Sequence, residues 1–292
     1  MSHASLKIVL CTGLALCAFA GNSILCRLAL GGDTIDAASF TAIRLLSGII
    51  VLLLLVALTR RDGALLSYGS WRASAMLFFY ALAFSWAYTS LDTGIGALVL
   101  FGAVQITMIV ASLIAGNKLL LSEWAGVVIA FSGFVVLVLP DLTTPSLLGF
   151  ILMTLAGIAW GIYTLLGRGA TQPLNDTAAN FIRTLPFVGV LIAVSFQHAH
   201  VSQDGVLLAV LSGGLASGLG YAIWYIALGG ISITQAAVVQ LIVPVIAALG
   251  GVLFAGELIT MRLVLSSAMI LGGIMVVVMG RYYFVLRAES RV

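Results

Sequence analysis

The chain is 292 residues long, 62% of them hydrophobic and only 8% charged, with a net charge of +3 and a mean hydropathy of +1.21. A soluble protein, in which about a quarter of residues are ordinarily charged, cannot bury so much apolar surface, so lipid must solvate it. The few positive charges are dispersed, with no basic run interleaved with aromatic residues, which excludes nucleic-acid binding.

With charges, Pro and Gly as punctuation, the sequence holds ten apolar runs of about the 20 residues needed to cross a bilayer. The first, 6–29, contains IVLCTGLALCAFAG after Lys7. A basic residue, an apolar run and small residues resemble a secretory leader. The segment nevertheless has a counterpart in the second half, so it is expected to stay in the chain. Its cysteines, Cys11, Cys17 and Cys26, are too far apart in angle or along the axis to pair or to bind a metal, and are read as small buried thiols. Asn22 is a polar residue in mid-span.

The second run, 37–58, carries Arg44. A charge inside a span is costly and therefore a functional candidate. It could grip an anion such as a substrate carboxylate, or it could snorkel and pair with Asp36 two turns earlier. Pairing is the favoured reading. In the third run, 71–90, Tyr80, Phe84 and Tyr88 form one stripe at i, i+4, i+8, whereas Trp86 points to the opposite side of a straight helix. Tyr88, near the span end, could equally be an anchor at the lipid interface. The fourth run, 93–115, contains Gly94 and Gly96, candidate hinges, and the amide Gln105. The fifth is 122–139.

In the sixth run, 146–167, Trp160 and Tyr163 are helical neighbours beside a GxxxG pattern at Gly157 and Gly161. The seventh, 176–197, carries Arg183, for which Asp176 is the expected partner, as Asp36 is for Arg44. Beyond it, His198 and His200 lie in the loop QHAHVSQD, where two histidines alone cannot complete a metal site. The eighth run, 205–228, places Tyr221, Trp224 and Tyr225 on one face. The ninth, 231–254, contains Gln240, then Pro244, Gly250 and Gly251. A proline inside a span frees a carbonyl and kinks the helix, so these are hinge candidates too. The tenth run is 261–284.

Comparing the halves at an offset of about 140 brings out a repeat: Arg44 falls on Arg183, Trp86 on Trp224, Gly116 on Gly256 and Gly133 on Gly273. Five spans in each half is an odd number, so the halves, 1–139 and 140–292, must enter the membrane from opposite sides. Inverted repeats are a transporter architecture with the substrate held near midplane. With both termini cytoplasmic, Lys7, Arg60, Arg61, Arg72, Lys118, Arg168, Arg281, Arg287 and Arg291 share one side, as the positive-inside rule requires. No Asp, Glu or His stands in the middle of a span, so proton coupling is not expected. No nucleophile and base, or clustered acids, occur within the spans, which argues against an enzyme.

The stretch YIALGGISITQAAVVQLIVPVIAALGGVLFAGELITMRLVLSSAMILGG resembles the drug/metabolite transporter superfamily in its ten-span form with EamA-type repeats. The small Ala236 and Ala237, Pro244, Gly256-Glu257 and Gly272-Gly273 follow that pattern. In the first repeat Gln105 stands in the proline's place and Asn117-Lys118 in that of the Gly-Glu end. The aromatic content of the third, sixth and eighth spans is most similar to that of the aromatic amino-acid exporters of the superfamily. The resemblance implies an all-α membrane protein of two inverted five-helix repeats around a central cavity, exporting amino acids from a bacterium's cytoplasm across its inner membrane by alternating access. Substrate-binding candidates are Trp160, Tyr163, Trp224, Tyr225, Tyr221, Tyr80, Phe84, Trp86, Tyr88, Asn22, Gln105 and Gln240. The expected partners are amino acids and the lipid bilayer, with no cofactor, no metal, no nucleic acid and a monomeric state. The competing reading is an exporter of drugs or organic cations on the same fold, bound by cation-π contact.

Overall fold

The computed structural model describes residues 3–59, 65–114, 116, 121–138, 146–167, 170–228, 230 and 239–289. Tyr225 is described by its backbone alone. Its side chain lies outside the described residues, as do Arg60, Arg61, Lys118, Arg168 and the expected start of the ninth span, 231–238. Inside a bilayer every backbone N–H and C=O must find a partner within its own segment, and these apolar runs accordingly fold as helices.

In chain order these are α1 (His3–Gly31), α2 (Ala37–Leu58), α3 (Trp71–Tyr88), α4 (Thr93–Ile114), α5 (Leu121–Val138), α6 (Leu147–Leu166), α7 (Pro173–Ile182), α8 (Leu185–Ser195), α9 (Gln203–Val210), α10 (Gly220–Leu228), α11 (Val243–Ala255) and α12 (Met261–Glu289). A widened, π-type segment, Leu211–Leu219, joins α9 to α10 without a break. Among the described residues six helical stretches are long and apolar enough to cross a membrane. Shorter apolar helices lie at 124–137, 243–255 and 261–277. The helix bounds follow the expected apolar runs in the first half and depart from them in the second. The seventh is two helices that meet at Arg183–Thr184, because Pro186 opens a new helix there and cannot continue the old one. Pro244 likewise sits in the first turn of α11, just after a turn at 241–242 that interrupts the helical residues 239–240, so the ninth run is broken beside the proline.

Short polar side chains mark several starts. Asp36, Ser70, Ser146 and Ser202 each accept hydrogen bonds from backbone N–H groups of the first turn they precede. At one end of the bundle the links 34–36 and 200–202 are stapled together. Ser202 N–H donates to the Thr34 carbonyl, and Asp36 N–H to that of His200, both at 2.9 Å. The Asp36 carboxylate also accepts from His200 N–H at 2.9 Å. Partial burial raises its pKa, but bonds from the Ser39 side chain and from the N–H groups of Ser39, His200 and Ala38 outweigh this and hold it below the usual carboxylate range.

Packing joins the halves throughout. α3 and α4 both pack on α6, α1 packs on α10 and α11, α4 on α11, α5 on α12, and α2 on α7 and the widened segment. Close approach needs small residues. At Gly157 an added Cβ would stand 2.6 Å from that of Ala103 and 2.7 Å from the Leu100 carbonyl oxygen, so α6 and α4 touch backbone to backbone there.

Candidate functional site

The aromatic residues of five elements converge on one slot. α1 brings Phe19 and Asn22, and α3 brings Tyr80 and Phe84. α4 closes one side with Leu100 and Phe101, and Trp160 and Tyr221 come from α6 and α10. Ring centroids are 4.8 Å apart for Tyr80 and Trp160, 5.0 Å for Trp160 and Tyr221, and 5.9 Å for Phe19 and Tyr221. These are the separations of favourable edge and offset contacts. Phe19 and Tyr80 lie near the middle of α1 and α3, which puts the slot near the middle of the bundle. Its cavity volume is about 20 Å³, room for a single water. A ligand as large as an amino acid enters only when the rings part.

Trp160 stacks on Tyr163 at 5.3 Å, and Trp224 supports the slot from behind through Phe19 at 5.6 Å. The α3 stripe is continuous as expected: Phe84 lies 5.3 Å from Tyr80 and 4.8 Å from Tyr88. Tyr88 is fully buried, donates to the Thr93 carbonyl and packs on Gly96. It is neither a lipid anchor nor a wall of the slot. Trp86 is 37% exposed and lines an outward-facing apolar groove with Phe79 and Ile158, so it does not join the site. Gln105 is buried in α4 and Gln240 half-buried before α11; neither lines the slot. Of the hinge candidates, Gly94 packs on Ala248, Gly250 on Ile24 and Gly251 on Glu257. Among the cysteines, Cys26 is buried but Cys17 is exposed, because its face of α1 points out of the bundle.

Asn22 is the polar member of the slot. Its Nδ2 donates to Tyr80 Oη at 3.4 Å, while Ser212 in the widened segment donates to its Oδ1 at 2.6 Å. Against the other side of Tyr80 lies Arg44. Its Nη2 donates to Tyr80 Oη at 3.0 Å, and its guanidinium carbon stands 5.2 Å from the Tyr80 ring centroid and 4.9 Å from that of Phe84. The residue is 2% exposed and its Nη1 is buried with no hydrogen-bond partner.

The expected pairing of both arginines is therefore corrected. Asp36 spends its carboxylate on the N–H groups of Ala38, Ser39 and His200, which are nearer than a side chain two turns away. Arg183 sits at the end of α7 and donates to the carbonyls of Tyr68 and Leu66, each at 2.5 Å. Asp176 accepts instead from Gly69 N–H at 2.7 Å. Arg183 holds a link between helices, and Arg44 is the cation beside the slot.

A second cluster escaped the sequence reading. Arg27 near the end of α1 is 3.2 Å from Asp92 and 3.3 Å from Glu257. Glu257 in turn accepts from the Thr93 N–H at 2.8 Å and from its hydroxyl at 2.8 Å. This ties the ends of α1, α3, α4 and α11 together beside a cavity of about 370 Å³. The available signal was the opposite charges placed at span ends on one predicted side of the membrane.

A bundle of lipid-solvated helices around a closed mid-bundle slot has the build of a membrane transporter. Residues 147–279 match the EamA-like transporter family. An uncharacterized protein of Pseudomonas aeruginosa is 49% identical over 94% of this chain and 96% of its own. A Salmonella typhimurium protein named a probable amino-acid metabolite efflux pump is 25% identical over 69% of this chain and 72% of its own. A solved crystal structure, 19% identical, superposes on 91% of this chain and 97% of its own with a TM-score of 0.64, which shows a shared fold. The chain belongs to the EamA-like transporter family.

Proposed function

We propose that the protein exports neutral amino acids, aromatic ones preferentially, from the cytoplasm by alternating access. The observation that carries this reading is the slot of Phe19, Tyr80, Phe84, Trp160 and Tyr221 with the Asn22 amide among the rings. Flat apolar side chains gain about 0.5–1.5 kcal/mol from each good ring contact there. Tyr163 and Trp224, in the next layer, fix the orientation of the rings they touch. The efflux-pump name of the Salmonella relative supports the same substrate class.

Alternating access follows from two inverted halves, 1–139 and 140–292. Exchanging them turns the packing of α3 on α6 into that of α10 on α1, and α4 on α6 into α11 on α1. The pairs α5 with α12 and α4 with α11 map onto themselves. All these neighbours are in contact, which supports the repeat. Charge bias supports cytoplasmic termini in a bacterial inner membrane. The cation-exporter reading is disfavoured because Arg44 already covers the faces of Tyr80 and Phe84 that a cationic ligand would need.

Counterflow into proteoliposomes tests the proposal. Labelled Phe, Trp and Leu should exchange and Glu should not, and Trp160→Leu should lower Phe exchange about tenfold, the equivalent of one lost ring contact. Absence of exchange of any amino acid would sink it.

A further inference from the structure

We propose that Arg44 anchors the carboxylate of the carried molecule, so that the substrate class is carboxylates with a flat apolar side chain, zwitterionic amino acids included. The inference rests on the reading of the aromatic slot as the transport site and adds the group that recognises the charged end of the ligand.

A buried guanidinium needs an anion. Removing a cation from water is costly unless it is both paired and hydrogen-bonded. Arg44 makes one hydrogen bond, to a neutral phenol, and leaves Nη1 buried without a partner. The sequence places no acid in mid-span beside it. Its ten acids, Asp33, Asp36, Asp62, Asp92, Glu123, Asp141, Asp176, Asp204, Glu257 and Glu289, all stand within about a turn of a span end or outside the spans. Asp36, at the head of α2, is committed to the helix start, and Glu257 to the start of α4 and to Arg27.

The position completes the argument. Tyr80 and Phe84 lie against the Arg44 guanidinium, and both are walls of the slot. Any parting of these rings that admits a ligand also uncovers the guanidinium, and the ligand's carboxylate then replaces the phenol as its partner. The fork of N–H donors suits a carboxylate bidentately, which an ammonium cannot imitate. The ring faces take the side chain.

The test uses the full-length protein and three probes, L-phenylalanine, 3-phenylpropanoate and L-phenylalaninamide. In Phe counterflow, 3-phenylpropanoate should compete within about tenfold of Phe itself, and the amide should be weaker by about thirtyfold or more, the effect of leaving a buried charge unpaired. Arg44→Gln should lose Phe exchange by a similar factor while the purified variant unfolds at no lower temperature than wild type, and Arg44→Lys should not restore it. The assignment is overturned if the amide competes as well as Phe, or if Arg44→Gln keeps a Phe KM close to wild type. If Arg44→Gln does not fold, the probe series on wild type decides alone. If wild type exchanges no Phe, the transport reading fails and thermal unfolding decides Arg44. The assignment then stands when 3-phenylpropanoate raises the midpoint of wild type but not of Arg44→Gln, and falls when both or neither respond.

Discussion

Asp36 and Arg44 lie two turns apart on one helix and divide the labour that their spacing suggests they share. The carboxylate at the head of α2 takes three backbone N–H groups, two from its own first turn and one from His200. Replacing it by Ala should lower stability by about 1–2 kcal/mol, as for other lost helix caps, read from thermal unfolding in detergent. Its folded pKa is lowered from the ordinary 3.8, so its contribution is present above that value and is lost as pH falls through the lower, folded one. The wild type should therefore lose stability more steeply than Asp36→Ala on acidification below about pH 4, and equal slopes would refute this. Arg44 was legible as an anomaly, since a charge inside a span stands out against apolar neighbours. Its lack of an acid partner was not, because the choice Asp36 makes among donors depends on distances that only the folded chain sets.

At the level of the helix, hydropathy located the spans and small residues located the contacts between them. Gly157 and Gly161 were read as a packing motif, and Gly157 is where α6 meets the α4 backbone. Gly157→Val should therefore force the helices apart and cost about 1–3 kcal/mol, the usual penalty for overpacking. Gly189 in α8 has no atom within 4 Å of an added Cβ, so Gly189→Ala should be neutral or stabilising by about 1 kcal/mol. Similar losses from the two substitutions would show that the crossing is not close. The break at Arg183–Thr184 had a visible signal in Pro186. The widening at Leu211–Leu219 had none, since Gly213 must lie against the Arg44 carbonyl and Ser47 before the extra residue has a use.

Over the whole molecule, charge placement sets the energetics of transport. The three histidines are His3, His198 and His200, at the start of the chain and in one loop. No acid stands deep in a span, so the proposed cycle has no mid-span carboxylate with which to exchange a proton, while an arginine keeps its charge at any working pH. A zwitterion held by its carboxylate crosses with no net charge, and the guanidinium that meets it moves only as far as the helices rock. On the proposed reading the cycle is electroneutral and uncoupled from protons. A carried charge would feel about 2.3 kcal/mol per 100 mV, a bias of about fiftyfold in accumulation. Imposing a potassium diffusion potential of about 100 mV on proteoliposomes should thus leave the steady-state Phe ratio within about twofold of unity, and a pH step should do the same. Accumulation of Phe driven by either gradient would show a charge or proton moving with the substrate. The group responsible would then have to lie outside the mid-span residues, with the Arg27, Asp92 and Glu257 cluster the first place to look, because it gathers two acids and a cation at the span ends.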